Sequence, residues 1–266
     1  MDNPLRIEKD GYVATVTLAR PEKRNAMTQD MFSGFSEIFG ELDGDAKIRA
    51  VILRAEGKSF TAGIDLGEAA GLLQQSTTDA RERLKKWLMT LQDSLTSIER
   101  CSKPVIAAVH GHCIGGGVDL MCACDIRIAA RNAIFSVRET RMAMIADLGT
   151  LQRLPTIIGQ GWLRELALTG RDFTADEALQ MGFVTRVTAD RESLQAEARR
   201  LADEIASNSP LAVQGAKEVI LYSRDHGIRA GLEFVAQKNS SVLHCDDLME
   251  AVSAFMMKKK PDFKGK

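Results

Sequence analysis

The chain is predicted to be an α/β protein with a parallel-rich core, and three observations predict it. Short apolar runs alternate with amphipathic helical stretches over the first half of the chain. A strand feeds a helix through a glycine-bearing loop twice, at Val51–Ala69 and Val105–Met121. From Thr150 onward the pattern turns almost wholly helical.

The elements follow in order. Leu5–Glu8 and Tyr12–Leu18 read as a hairpin joined at Asp10–Gly11, a strong short turn signal. A polar stretch over residues 19–25 precedes Thr28–Leu42, where Met31, Phe35, Ile38 and Leu42 fall on one helical face. Ala50–Leu53 is a short buried strand. Gly57–Leu66 is a loop, and Asp65 with Glu68 three residues on has the form of a capping box. Arg81–Ile98 is a long amphipathic helix with Leu84, Trp87, Leu88, Leu91, Leu95 and Ile98 on its apolar side. Pro104 opens the strand Val105–Val109, the loop Gly111–Gly117 follows, and a helix starts near Gly117. Ile126–Ala129 is a further strand. Helices then cover Thr150–Ile158, Gln160–Leu168, Ala175–Met181, Arg191–Ile205 and Leu211–Tyr222, with one strand, Val184–Val187, among them. The tail Asp246–Met257 is amphipathic and leads into Lys258–Lys260.

Composition narrows the function classes. The chain has 266 residues, 45% hydrophobic and 27% charged, which excludes disorder, collagen and coiled coil. A chain this long buries roughly 70–75% of its unfolded surface. Its 35 basic and 36 acidic residues leave a net charge of -1, so no global field points to nucleic acid. No apolar run approaches the ~18 residues of a membrane span. The N-terminal ten residues have no apolar stretch, and Lys264–Lys266 is not a peroxisomal address. The 5 cysteines are odd in number and scattered. The expectation is a cytoplasmic protein with reduced thiols.

The two glycine loops carry the first chemical signal. A helix N-terminus presents unpaired N–H groups and the positive end of its dipole. Glycine at 63 and at 115–117 lets a ligand approach the backbone closely. Two such junctions side by side would aim two donors at one oxygen, an oxyanion hole worth about 2.7–4 kcal/mol per donor. Tight turning alone would explain either loop taken singly. Nucleotide motifs fail: Gly57-Lys58-Ser59 lacks the earlier glycine of a phosphate loop, since position 52 is Ile. Gly115–Gly117 does not fit the dinucleotide fingerprint.

Ser59-Phe-Thr-Ala-Gly-Ile-Asp-Leu66 and Cys113-Ile-Gly-Gly-Gly-Val-Asp-Leu120 resemble the paired motifs of the crotonase (enoyl-CoA hydratase/isomerase) superfamily. Asn25-Ala26-Met27 and Lys103-Pro-Val-Ile-Ala-Ala108 extend the likeness, which covers essentially the whole chain. The resemblance implies the crotonase (ClpP-like) fold, a spiral of ββα units. Residues 1–200 would form the core and residues 201–266 a C-terminal helical trimerisation region. It implies an acyl-CoA thioester substrate whose oxygen is held by the N–H groups of Ile64 and Gly116. Arg24, Ala62, Gly63, Asp65 and Leu66 are implied as further substrate- and CoA-binding residues. Lys23 and Lys58, or Lys258–Lys260 of a neighbouring subunit, are candidates for the CoA phosphates, against the ordinary reading of exposed cations. A homo-oligomer, trimer or hexamer, is implied. No metal or cofactor is expected beyond the coenzyme A of the substrate.

An oxyanion hole needs a proton shuttle, and three acids are candidates. Asp119 lies in the first turn of the helix after Gly117, where it would also compensate the dipole. Glu139 and Asp147 flank an apolar run, Met142–Ala146, whose dry surroundings would raise a carboxyl pKa toward neutrality. In the family, hydratases carry glutamates at the positions of Asp119 and Glu139 and no acid at 147. The trio here resembles the Δ3,5-Δ2,4-dienoyl-CoA isomerases of the family. So do Asp147–Pro155, Ser209–Gly215 and Tyr222–His226. The resemblance implies isomerisation of a 3,5-dienoyl thioester to the 2,4-dienoyl product in fatty acid β-oxidation. One carboxyl, Asp147, takes a proton from C2, the other, Glu139, returns one at C6, and Asp119 tunes Glu139. The reverse order of the two roles stays open. Unbroken helix would set 139 and 147 only about 80° apart, so action at separated carbons requires the chain between them to turn.

Two other readings fit parts of the same pattern. An enoyl-CoA hydratase or another enoyl-CoA isomerase keeps the scaffold with different acids. A non-catalytic acyl-CoA-binding protein would keep the glycine loops and lose the acids. His110, His112, Cys113, Cys122 and Cys124 form a poor metal set, because the Cys-x-Cys pair on a helix points in opposing directions. Phe255, Met256 and Met257 are expected to pack against the core or an adjacent protomer. Helix Arg81–Ile98 and the segment before it are expected to line an acyl tunnel.

Overall fold

The computed structural model describes residues 4–68 and 77–266. In chain order the strands are β1 (Leu5–Asp10), β2 (Val13–Leu18), β3 (Ala50–Ala55), β4 (Val105–Val109), β5 (His112–Ile114), β6 (Ile126–Ala130), β7 (Ile134–Ser136), β8 (Asp172–Thr174) and β9 (Arg186–Thr188). The labelled helices are α1 (Gln29–Gly44), α2 (Thr78–Arg100), α3 (Gly116–Cys122), α4 (Thr150–Thr169), α5 (Ala175–Gln180), α6 (Arg191–Ala206), α7 (Pro210–His226), α8 (Ile228–Val242) and α9 (Asp246–Met256). Residues 66–68 begin a further helical turn, and the helix expected to continue through Ala69 lies outside the described residues.

β1 turns back onto β2 through Gly11 and Tyr12, with Asp10 paired to Val13. The turn falls one residue later than Asp10–Gly11, because the glycine takes the first central position at φ +59°. β2, β3, β4, β6 and β9 then pair in parallel, giving the order β1-β2-β3-β4-β6-β9. Both faces of the central strands β2, β3, β4 and β6 are largely buried, as parallel sheets require. Val51, Leu53, Val105, Ala107 and Val109 face the main core with Phe35, Phe39, Leu91 and Leu95 of α1 and α2. Ala50, Ile52, Ile106 and Ala108 face α6, which contributes Leu194, Ala198, Leu201, Ala202 and Ala206. The division at 200/201 falls within this helix, which packs on the sheet as far as Ala206.

A second sheet, β5-β7-β8, left no periodic signal because its strands are three residues each. Its inward residues Phe135 and Phe173 stack at 5.3 Å, with Phe183 against Phe135 at 5.5 Å. Val184 is apolar because it belongs to this core, so strand pairing starts only at Arg186 rather than at Val184. The two helices expected at Thr150–Ile158 and Gln160–Leu168 are both present within α4 and meet at a break at Gly159, where φ is +77°.

The C-terminal helices are tied back to the sheet by buried cations. Lys217 Nζ donates to Asp125 Oδ2 at 2.7 Å and to the Lys103 carbonyl at 3.1 Å. Arg49 donates to the carbonyls of Ala206 and Phe263 and lies 3.8 Å from the Tyr12 ring centroid. Helix α8 lies outside the expected elements; its Ile228 and Leu232 are exposed and only Gly231 is buried, while Phe234 stacks on Tyr222 of α7 at 4.2 Å. Phe255, Met256 and Met257 are exposed at 85%, 80% and 61%, which rules out packing on their own core. No helix among the described residues is long and apolar enough to cross a membrane.

Candidate active site

The first glycine loop is held by a buried asparagine. Asn25, at φ +52°, accepts the Arg20 N–H on Oδ1 and donates from Nδ2 to the carbonyls of Glu56 and Ser59. Thr61 Oγ1 donates to the Asn25 carbonyl at 2.6 Å and accepts the Gly63 N–H at 3.1 Å. Thr61 also forms a parallel bridge with Cys113, which sets the two glycine loops side by side.

Both expected amides are then left over by the local geometry. Met27 bridges Ile64 through the Gly63 carbonyl and the Asp65 N–H, so the Ile64 N–H takes no part in that pairing. Gly116 opens α3, where an N–H has no partner within the helix. The preceding Gly115 takes φ +53°. A Cβ built on Gly116 would lie 3.6 Å from Ile64 N, and one on Gly63 would lie 3.5 Å from Gly116 N. Two donors so close have the geometry to share one acceptor.

These amides line a cavity of about 640 Å³ together with Asp119, Glu139 and Asp147. Chain folding, not spacing, unites them. A 3-10 turn over Glu139–Met142 ends at Ala143 with φ +57°, and Gly149 at φ +126° redirects the chain into α4. The turn required between 139 and 147 is therefore present.

Each acid has a distinct setting. Asp119 is 1% exposed, and its Oδ1 accepts the Thr150 N–H at 2.6 Å. Burial, with the charges of Glu139 and Asp147 adding to it, pushes its pKa up to about 7. Glu139 is pushed up by burial and by the Asp147 charge. Its Oε2 is buried without a hydrogen-bond partner among the described residues, and a Cβ on Gly115 would lie 3.1 Å from its Oε1. Asp147 is pushed up by burial. The run Met142–Ala146, expected to surround the acids with dry apolar groups, does line the cavity at Met142, Ala143, Met144 and Ile145 but is largely exposed. Met142, Met144 and Ile145 form a rim exposed at 51%, 38% and 75%, and only Ala146 of that run is buried.

Of the implied binding residues, Ala62, Gly63, Ile64 and Leu66 line the cavity. Asp65 is turned to Arg20 at 3.2 Å and caps its own turn by accepting the Gly67 N–H. The capping box with Glu68 does not form, because Glu68 Oε2 accepts the Gln29 N–H of α1 instead. Arg24, Lys23 and Lys58 are exposed, and none of the three is among the residues lining this cavity. Leu84, Trp87 and Leu88 of α2 do form a wall of it, while residues 69–76 of the expected tunnel lie outside the described residues. Arg138 and Leu148 line the cavity without having been anticipated; only their adjacency to Glu139 and Asp147 pointed to them. The described residues contain no group of three or more His, Cys, Asp or Glu placed to hold a metal.

The fold and this paired-loop site define the enoyl-CoA hydratase/isomerase family, and the chain belongs to it: the family model matches residues 8–266. A mitochondrial Δ3,5-Δ2,4-dienoyl-CoA isomerase of Dictyostelium discoideum is 46% identical, the match covering 98% of this chain and 91% of that protein. A peroxisomal enzyme of the same name from Arabidopsis thaliana is 44% identical over 97% of this chain and 95% of its own length. Among solved structures, an enoyl-CoA hydratase from Bacillus anthracis superposes with a TM-score of 0.92 at 34% identity, covering 99% of this chain and 100% of that one. The fold is the crotonase fold.

These relatives overturn the cytoplasmic expectation, since they are mitochondrial and peroxisomal. Unpaired cysteines carry no address, so their pattern does not distinguish the cytosol from an organelle interior.

Proposed function

We propose that the protein isomerises 3,5-dienoyl-CoA to 2,4-dienoyl-CoA in the β-oxidation of unsaturated fatty acids. One observation carries the reading: Glu139 and Asp147 line the same cavity as the Ile64 and Gly116 amides. The names of the relatives at 46% and 44% identity support it.

The thioester oxygen sits between the two amides, and the acyl chain runs along Leu84, Trp87 and Leu88. The Asp147 carboxylate takes the C2 proton, and the electron pair delocalises over a trienolate that reaches C6 and whose oxygen is held at the oxyanion hole. Glu139, whose protonated form burial and the Asp147 charge favour, delivers a proton to C6 as the double bonds shift. Asp147 then holds a proton and Glu139 has lost one, so a proton passes back between them or through water before the next turnover. Asp119 tunes Glu139 through its charge. The coenzyme A arrives with the substrate, and the mechanism uses no other cofactor.

The exposed Phe255, Met256 and Leu232 support a homo-oligomer, a trimer or hexamer, assembled through the C-terminal helices.

Incubation with 3,5-octadienoyl-CoA should generate the conjugated 2,4-dienoyl absorbance, and Asp147→Asn should abolish it. Brisk hydration of 2-enoyl-CoA without that absorbance would assign the protein to the hydratases. Binding of CoA esters without turnover would assign it to acyl-CoA carriers.

A further inference from the structure

Helix α2 carries a second stripe beside its apolar one. Gln92, Thr96 and Glu99, at i, i+4 and i+7, share one face and bond to the segment 147–153 or to its arginine. Gln92 Nε2 donates to the Asp147 carbonyl at 2.6 Å. Thr96 Oγ1 accepts from Arg153 Nη2 at 3.0 Å. Glu99 accepts from Arg153 Nε at 3.0 Å and Nη2 at 3.3 Å, and from Arg224 of α7 at 2.5 Å. Arg153 supports the turn from below. Its Nη1 donates to the Leu148 carbonyl at 3.4 Å, and a Cβ on Gly149 would lie 2.0 Å from Nη1.

Beyond the burial of Ala146 and Leu148 in the main core, the turn has little other support. From Ile145 through Gly149 no backbone N–H donates to a backbone carbonyl outside regular elements among the described residues. Side chains must therefore fix where Asp147 stands. The same helix lines the cavity one turn earlier, at Leu84, Trp87 and Leu88.

We propose that Gln92 is a positioning residue for Asp147, seconded by Thr96 through Arg153. The proposal rests on Asp147 being the base of the reaction given above. Gln92 fixes the peptide from which the carboxylate projects, so the proton-abstracting oxygen is held at C2 by the helix that holds the acyl chain. Small misplacements of such a group cost far more in turnover than in binding.

Gln92→Met keeps the length of the side chain and removes the donor. We expect kcat to fall on the order of 10–100-fold with KM within about twofold. The pH-rate limb belonging to Asp147 should shift. Should Gln92→Met fail to fold, Thr96→Val removes the hydroxyl that accepts from Arg153, and the same pattern is expected at smaller size. Unchanged kcat and pH profile in the folded variant would overturn the proposal, as would a loss that appears only in melting temperature. If wild-type protein isomerises and Asp147→Asn does not, a fully active Gln92→Met sinks this proposal alone. Wild-type protein inactive on 3,5-dienoyl-CoA removes the functional reading and this proposal with it.

Discussion

The Thr150 N–H donates to Asp119 Oδ1 at 2.6 Å, so a carboxyl at the start of α3 caps the start of α4. The two helices that meet at the cavity are thus joined through one buried acid. That joint has a cost when the acid ionises, because its pKa is raised to about 7.

The sign of this cost is testable. A carboxyl with a raised folded pKa holds its proton in the folded state after the unfolded chain has released it. Its stabilising contribution is complete below the unfolded value and declines as pH rises from there to about 7. Roughly three pKa units correspond to about 4 kcal/mol. Asp119→Asn still accepts the Thr150 N–H, so urea unfolding at pH 5 and pH 8 should show a smaller loss than wild type. Parallel pH curves for the two proteins would refute the assignment.

Gly116 and Gly117 should separate function from folding. A methyl on Gly116 meets Met27 Cε at 3.1 Å and Ile64 Cγ1 at 3.3 Å, side-chain rather than backbone atoms, and stands 3.6 Å from the Ile64 N. Gly116→Ala should fold and lose about 10²-fold in kcat. A methyl on Gly117 meets Thr61 Cγ2 at 2.5 Å and Cys113 Sγ at 3.1 Å, inside the joint between the loops. Gly117→Ala should cost about 1–3 kcal/mol in stability. Equal thermal melts with unequal turnover, or the reverse order, decide the matter.

Lys217→Met should strip Asp125 of its cation. The pair is buried, with the Lys217 side chain 6% exposed, and breaking such pairs costs about 3–5 kcal/mol. The Val105 N–H still bonds Asp125, which limits the loss. Proteolysis should then begin between α6 and α7, and a cleavage pattern unchanged from wild type would show that other contacts anchor the C-terminal helices.

Thiol chemistry should pick out one cysteine. Burial pushes Cys122 and Cys124 up to about 12, and Cys101 and Cys113 are also raised by burial. Cys245 is half-buried. Ellman titration of native protein at pH 8 should give one fast thiol, lost in Cys245→Ser. A fast phase surviving that substitution would contradict the burial pattern.

The sequence by itself determined the regular elements that bury apolar stripes and the two glycine loops. Met31, Phe35 and Leu42 announced α1, and Gly63 and Gly115–Gly117 announced the backbone donors, because each signal is local: a period, or a residue without a Cβ. Tertiary structure alone decided that Thr61 pairs with Cys113, that Asp119 caps α4, and that Gln92 reaches Asp147 across 55 positions. It also decided that Met142 and Ile145 form an exposed rim while the second sheet and α8 exist at all. These facts depend on which surfaces meet after the chain turns at Ala143 and Gly149, and hydrogen bonds between distant residues leave no periodic trace in a sequence.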